Sequence, residues 1–333
     1  MRKIIKIDFV NYWFEDTLEA KKNNSLYIFL KYMLNPYYNI EISDSPDFLF
    51  YSIFGNNHLK PRYNHCVKIF WTQENQRADF SECDYAFTFD PQQTDRHFRL
   101  PFYRTDITMY PRLKVSRDQT AIAQQKTKFC CFIVSNQDAA FRIKFYHELS
   151  KYKRVDSAGS ALNNLGYNVP PGWEAKVEFM RPYKFCIAFE NAEQAGYTTE
   201  KITHAFVAGT IPIYWGNPIV GSDFNAKSFI NYFNHGSIEA TIREVIRLDQ
   251  DPLLYAKYLG ESPLIGGQDL PALTDEAIAN RFRKIFESGT IRRNQYARMK
   301  SIVRYKGLQL RKQVAWWLVK IPNVTRFRKK MIR

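Results

Sequence analysis

The sequence predicts an α/β protein of two Rossmann-like domains facing across a cleft, followed by a basic amphipathic tail. Three observations carry this expectation. Short apolar runs alternate with helical or loop stretches along most of the 333 residues, run after run ends in polar residues, and positive charge collects at the C-terminus. A chain of this length holds about two domains. Its 45% hydrophobic residues suffice for sizeable cores.

Ile4 to Val10 reads as the first buried strand. Ser25 can cap a helix over 26–34 that stops before Pro36. Three further apolar runs follow, Asp47 to Gly55, Cys66 to Trp71 and Asp84 to Asp90. The polar, aperiodic stretch 103–127 reads as the interdomain connection. The expected domains are therefore 1–115, 116–290 and a tail over 291–333. In the second domain, strands are expected at Lys128–Val134, Lys184–Phe189 and Ile211–Trp215. Helices are expected at 139–150, 199–208, 238–248, 252–258 and 275–287. Such alternation suggests parallel sheets covered by helices. The runs end in Thr72-Gln-Glu-Asn75, Ser135-Asn136, Glu190-Asn191 and Gly216-Asn217. Open α/β sheets bind ligands beyond the carboxyl ends of their strands, so these residues are expected to line the cleft.

The formal net charge of +15 is a property of the tail. From Arg292 to Arg333 there are 14 Lys+Arg and no acidic residue, which leaves 34 basic against 33 acidic residues in the body. A nucleic-acid enzyme more often spreads its cations over the folded surface, so nucleic acid is not an expected partner. Cys66, Cys83, Cys130, Cys131 and Cys186 are odd in number and show no CxxC spacing. They read as free, buried thiols of a reducing compartment. The N-terminus is broken by charge within a few residues, and no run of about 18 apolar residues occurs. A cytoplasmic location is expected.

The familiar phosphate and metal signatures GxGxxG, GxxxxGK[ST] and HExxH are absent. Asp249-Gln-Asp251 could mimic an acidic metal site but reads as a helix end, and His204 reads as a packing or capping residue. The dense stretch is Tyr183–Pro218. Strand 184–189 delivers Glu190-Asn191 to its carboxyl end. Thr198 or Thr199 can cap the next helix, with Glu200 and Lys201 in its first turn. Helix N-terminal amides favour anions, and Lys201 adds a full charge. A pyrophosphate would be held well there.

The segments Tyr183-Lys-Phe185, Phe189-Glu-Asn-Ala192, Tyr197-Thr-Thr-Glu-Lys201 and Pro212-Ile-Tyr-Trp-Gly216 together resemble the donor-binding motif of the α1,3/α1,4-fucosyltransferases, glycosyltransferase family 10. Ala192 stands where the family has Ser, and Thr198 where it has Val. Val134-Ser-Asn136, Arg142, Phe145-Tyr146, Val155–Gly159 and Asn163–Gly166 follow the family order upstream. So do Asn11-Tyr-Trp13, Trp71–Asn75, Asp84-Tyr85, Asp90 and Arg99-Leu-Pro101. The resemblance covers roughly 3–290 and implies a GT-B type fold with an acceptor-binding first domain and a GDP-fucose-binding second domain. It implies inverting transfer of L-fucose to the 3-OH or 4-OH of N-acetylglucosamine in N-acetyllactosamine-type glycans of a surface polysaccharide or lipopolysaccharide. Glu74 would be the general base, and Arg142 and Lys201 would neutralise the departing β-phosphate. Ser135, Asn136, Lys184, Asn191, Tyr197 and Glu200 would complete the donor site. No cofactor is required on this reading, and a divalent cation would at most stimulate.

Val314–Ile321, with Trp316 and Trp317, is apolar, ringed by basic residues and broken by Pro322. Tryptophan at headgroup level and cations on anionic lipid mark an interfacial helix. The tail is therefore expected to dock peripherally on the inner face of the cytoplasmic membrane. The alternative is a segment packed back on the body with its charges solvated. Three other functions compete with the main one: transfer of another GDP-sugar on the same fold, catalytically silent glycan or lipid binding, and nucleic-acid binding. The joint presence of Glu74, Arg142 and Lys201 argues against silence.

Overall fold

The computed structural model describes residues 2–115, 119–136 and 139–320, without the side chains of Gln295 and 316–320. Two compact units result. The first takes everything up to Thr88, then Thr94–Phe98 and the stretch from Ala279 on. The second takes Phe89–Gln93 and Arg99–Ile278.

The first unit opens with β1 (Lys3–Val10), α1 (Leu18–Asn23) and α2 (Ser25–Leu34). β2 (Tyr38–Ile42), β3 (Phe48–Tyr51), β4 (Val67–Trp71), β5 (Tyr85–Thr88) and β6 (His97–Arg99) follow. The sheet runs β2-β1-β3-β4-β5-β6. β1 pairs in parallel with both β2 and β3, and the pairs β3–β4 and β4–β5 are also parallel. Every residue of β3, β4 and β5 is buried, as a sheet covered on both faces requires. Period-two alternation splits the core. Phe50, Trp71 and Phe87 pack on Phe282 on one face, with Phe87 and Phe282 stacked at 4.2 Å. Leu49, Tyr51, Phe70 and Ala86 fill the other, with Tyr63, Cys66 and Cys83.

The cap of α2 is Asn24, not Ser25. The Asn24 side-chain carbonyl accepts from the amides of Leu26 and Tyr27 at 2.9 and 3.0 Å, and Ser25 is already helical. Sequence reading also misses α1, β2 and β6. β2 alternates buried with polar, more exposed positions, so it lacks the continuous apolar run that marks the inner strands.

The second unit contains α3 (Phe102–Thr105), α4 (Gln119–Gln124), β7 (Lys128–Phe132), α5 (Ala140–Ser150), β8 (Val155–Ser157) and α6 (Trp173–Met180). β9 (Tyr183–Ile187), α7 (Glu200–Val207), β10 (Ile211–Tyr214), β11 (Ile230–Asn231), α8 (Tyr232–His235), α9 (Ile238–Gln250) and α10 (Pro252–Gly260) follow. All pairings in its sheet, ordered β11-β10-β9-β7-β8, are parallel. β7 has β8 on one side and β9 on the other. The chain therefore crosses outward from β7 to β8 and then back past β7 to β9, and a crevice opens beyond the β7 and β9 ends. α11 (Asp275–Ser288) and α12 (Gln295–Lys320) end the described chain.

The compact units divide the chain at 88–99 and at 278/279, rather than at 115 and 290. The stretch expected to connect the domains is built into the second unit. Tyr103 is buried against Phe224 at 4.8 Å. Arg104 Nε donates to Leu273 O at 2.7 Å, and its guanidinium pairs with Asp275.

Asp251 caps α10 by accepting from the amides of Leu253 and Leu254, and Asp249 pairs with Lys153 and Lys184. The Asp249–Asp251 segment is thus a helix end. No group of residues suited to a metal ion occurs among the described residues. The five cysteines are buried and unbridged.

α12 is rooted in the first unit by Arg293. Its guanidinium reaches both carboxylate oxygens of Asp84 at 2.9–3.0 Å, and both side chains are buried. Arg304, about three turns further on, pairs with Glu82. Tyr296, Met299, Val303, Leu310 and Val314 are exposed along the helix. Among the described residues no helix is long and apolar enough to cross a membrane. The side chains of Trp316 and Trp317, and all of 321–333 with Pro322, lie outside the described residues.

Candidate functional site

Beyond the β7 and β9 ends of the second unit lies a cavity of about 240 Å³. Val134, Ser135 and Asn136 reach it from β7, Ala188 and Asn191 from β9, and Arg142 from α5. Lys176 enters from α6, and Glu200, Lys201 and His204 from α7.

Arg142 is the most telling residue. It is only 1% exposed. Its guanidinium donates to Asn191 Oδ1 at 2.7 Å and to the Asn136 carbonyl at 2.8 Å, while Nε has no partner. Burial pushes its pKa down, partly opposed by Glu190. Both of its hydrogen-bond acceptors are neutral. A buried cation held only by neutral acceptors is poorly compensated unless an anion joins it.

Behind the cavity sits Glu190, fully buried. It accepts from the Thr199 amide at 2.7 Å, from the Thr199 hydroxyl at 2.8 and 3.0 Å, and from Lys201 Nζ at 3.0 Å. Gly216 makes room for it. A Cβ there would lie 2.5 Å from Glu190 Cβ, and the φ of +145° already favours glycine. Thr199 holds the N-cap position of α7 but makes no side-chain cap, because its hydroxyl serves Glu190. The other cap candidate, Thr198, accepts from Asn217 Nδ2 at 2.9 Å. Neither threonine therefore caps the first turn of α7 at the cavity edge.

The charges are mutually tuned. Burial raises the Glu190 carboxyl, opposed by Lys201 and the Thr199 amide. Burial disfavours the Lys201 ammonium, yet Glu190 and Glu200 outweigh it and hold its pKa above the ordinary value. Burial likewise opposes ionisation of Glu200, but Lys201, His204 and Lys176 prevail and hold it down to about 2. A strongly basic rim thus surrounds one firmly ionised carboxylate.

Of the residues singled out in the sequence, Ser135, Asn136, Arg142, Asn191, Glu200 and Lys201 meet at this cavity. Lys184 and Tyr197 do not. Lys184 starts β9, at the end away from the cavity, and binds Asp249 Oδ1 at 2.8 Å. Tyr197 is buried edge-on against Phe89 at 5.2 Å, with its carbonyl accepting from Tyr214 Oη. Glu74 lies in the first unit, just past β4. Its amide donates to Thr72 Oγ1 at 3.1 Å and its carbonyl accepts from Gln76 N. Its half-buried carboxylate makes no hydrogen bond or ion pair among the described residues.

Two cavity residues escape sequence reading. Lys176 sits on α6, a helix hidden behind Pro170-Pro171-Gly172. His204 does pack, with its ring 5.7 Å from Trp173. The residue also lines the cavity, while its buried Nε2 has no hydrogen-bond partner and lies 3.8 Å from Asp106 Oδ2.

Comparison with known proteins agrees with this architecture. Residues 7–106 match the model of the alpha-(1,3)-fucosyltransferase FucT N-terminal domain. Residues 123–260 match glycosyltransferase family 10 (fucosyltransferase) C-term. The alpha-(1,3)-fucosyltransferase FucT of Helicobacter pylori is 32% identical over 330 residues, covering 86% of this chain and 67% of that protein. The human 4-galactosyl-N-acetylglucosaminide 3-alpha-L-fucosyltransferase 9 is 29% identical over 136 residues, 40% of this chain and 36% of its own length. A crystal structure of an α1,3-fucosyltransferase with GDP-fucose superposes with a TM-score of 0.72 at 29% identity, covering 89% of this chain and 94% of that one. Two parallel-sheet units in this order, matched along both halves of the sequence, place the chain in glycosyltransferase family 10, the fucosyltransferases.

Proposed function

We propose that the chain transfers L-fucose from GDP-fucose, with inversion, to the 3-OH of N-acetylglucosamine in an N-acetyllactosamine-type glycan. One observation carries the donor assignment: the buried Arg142 guanidinium, bonded only to neutral acceptors, facing the same cavity as Lys201 and Lys176. A pyrophosphate supplies the anion this arrangement needs. The firmly ionised Glu200 suits a hydrogen-bond acceptor for sugar hydroxyls. Preference for the 3-OH follows the relatives' names.

In this mechanism Glu74 takes the proton of the acceptor hydroxyl as that oxygen attacks the anomeric carbon of fucose. The bond from this carbon to the β-phosphate oxygen breaks on the opposite face. GDP leaves with the electron pair, which gives one displacement and hence inversion. Negative charge grows on the β-phosphate, where Arg142 and Lys201 stabilise it most as the bond breaks. No step requires a metal ion.

The glycan belongs to a surface polysaccharide or lipopolysaccharide, and α12 with the basic residues after it docks on an anionic inner leaflet. Support comes from the exposed apolar side chains along α12 and the acid-free run of cations from Arg292. Each cation near such a leaflet contributes about 1 kcal/mol.

The test is transfer from GDP-fucose to N-acetyllactosamine by wild type, Glu74→Ala and Arg142→Ala, alongside GDP binding. Glu74→Ala should abolish product and leave GDP affinity intact. Arg142→Ala should weaken GDP and lower kcat by about 100-fold or more, the usual loss for one charge-stabilising group. Normal GDP binding by Arg142→Ala would remove the donor assignment.

A further inference from the structure

We propose that Trp13 and Phe54 form the ledge on which the acceptor oligosaccharide stacks. The inference rests on Glu74 as the base and on a glycan acceptor. Both aromatics lie at carboxyl ends in the first unit, Trp13 after β1 and Phe54 after β3. β3 is the strand between β1 and β4, and β4 delivers Glu74. Two strand spacings separate the β1 end from the β4 end, about 10 Å.

The exposure of these rings stands out. Trp13 is 52% and Phe54 48% exposed, beside Ile53 at 40%, on an edge where neighbouring aromatics are buried. A cluster of exposed apolar side chains of this kind marks an interaction site. The rings are also held in place. Trp13 sits edge-on to Phe54 at 6.3 Å, to Phe14 at 5.9 Å and to Tyr12 at 6.0 Å. Tyr12 stacks on Phe14 and its hydroxyl donates to the Trp71 carbonyl at the end of β4.

The turn that presents Trp13 is strained. Asn11 has a φ of +61°, a left-handed conformation that costs most L-residues about 1–2 kcal/mol and asparagine less. Tertiary bonds impose it. Asn11 Oδ1 accepts from Asn57 N at 2.9 Å, Nδ2 pairs with His58 Nδ1 at 2.7 Å, and the Asn11 carbonyl accepts from Phe54 N at 2.9 Å. The same edge continues to the base. Ser52 Oγ donates to Thr72 Oγ1 at 3.1 Å, and Thr72 Oγ1 accepts from Glu74 N. The ledge and Glu74 thus belong to one hydrogen-bonded rim. Backbone strain held by many bonds clusters where function needs fixed geometry.

The chemistry fits a sugar. A pyranose offers an apolar face of C–H bonds, which packs on the electron-rich face of an aromatic ring, and a rim of hydroxyls. Polar partners for that rim lie close by. A cavity of about 260 Å³ runs from Gly55, Asn56 and Asn57 to Tyr305, Gln309 and Lys312 of α12. Sugars beyond the stacked one extend into this groove, so longer acceptors gain contacts there.

Initial rates at saturating GDP-fucose against N-acetyllactosamine and its tandem repeat test the ledge. Trp13→Ala should raise the acceptor KM about tenfold, with kcat and the GDP-fucose KM nearly unchanged. Trp13→Phe should recover most of the loss, and Gln309→Ala should raise KM for the longer acceptor only. Acceptor binding is also followed by saturation-transfer NMR with GDP present. Wild type that binds acceptor without turnover refutes the proposed reaction, while loss of that binding in Trp13→Ala upholds the ledge. An unchanged acceptor KM in folded Trp13→Ala overturns it. So does an effect confined to vesicle binding, which would assign the ledge to membrane.

Discussion

Removing the Lys201 ammonium should do two separable things, and a second substitution separates them. Lys201 Nζ is 3.0 Å from the fully buried Glu190, and the residue also lines the candidate cavity. Lys201→Met leaves a buried carboxylate without its cation. Breaking a buried pair costs about 3–5 kcal/mol, and the lower figure applies here because the Lys201 side chain is 23% exposed. At about 2–4 °C per kcal/mol for a unit of this size, Tm should fall by roughly 6–12 °C. The loss should depend on pH. Burial already raises the Glu190 pKa in the fold, and Met at 201 raises it further. A carboxyl with a raised folded pKa destabilises fully above that pKa, and the penalty vanishes below the unfolded value of about 4.3. The deficit of Lys201→Met should therefore be largest at pH 8 and shrink toward pH 5. Lys201→Met/Glu190→Gln replaces the pair by neutral groups and should regain most of the stability at pH 8. Fucosyl transfer should stay low in both variants, because the phosphate has lost its cation. Calorimetry at the two pH values and a single-turnover assay decide. A double variant as unstable as the single, or a pH-independent deficit, would refute the coupling.

Lys68, fully buried on β4 with no hydrogen-bond partner at Nζ, is pushed down to about 7 by burial and by Arg293. A lysine with a lowered folded pKa penalises the fold fully below that pKa, and the penalty fades as pH rises toward the unfolded value of about 10.4. Denaturation midpoints should accordingly show Lys68→Met stabilising by on the order of a few kcal/mol at pH 6 and by little at pH 10. Gly216→Ala should destabilise by about 2–4 kcal/mol through its backbone conformation and the clash with Glu190. A denaturant midpoint and GDP titration should show both stability and GDP affinity falling, since Glu190 positions Lys201.

The candidate site was legible where its parts are local. Glu190, Asn191, Glu200 and Lys201 fall within 12 residues of sequence, on a strand end and the following helix start, so the strand-to-helix logic of an anion site applies directly. Arg142 and Lys176 come from other elements. The resemblance supplied Arg142, but nothing in the residues around Lys176 marks it. Lys184 illustrates the limit of motif reading. It belongs to the motif, yet strand direction puts it at the amino end of β9, where Asp249 holds it. Tyr197 is conspicuous in the sequence for a packing reason. The stretch 103–127 reads as a linker because it is polar. Tyr103 and Arg104 are in fact buried parts of the second unit.

The ion pair at the base of α12 has a mechanical consequence. Arg293 and Asp84 are 1% and 0% exposed, the helix lies along the first unit through Arg304 and as far as Lys312, and the eight residues that follow to Lys320 add about 12 Å at 1.5 Å per residue. A helix fixed at its root behaves as a rigid mast, where an unstructured linker would behave as a leash. A leash lets an enzyme sample a hemisphere of positions. A mast sets the standoff height of the first unit and limits its tilt. If the far end docks on a leaflet as proposed, acceptors at one height above the lipid would be favoured over identical sugars free in solution. Lengthening α12 by whole turns would retune that height without touching the reacting groups.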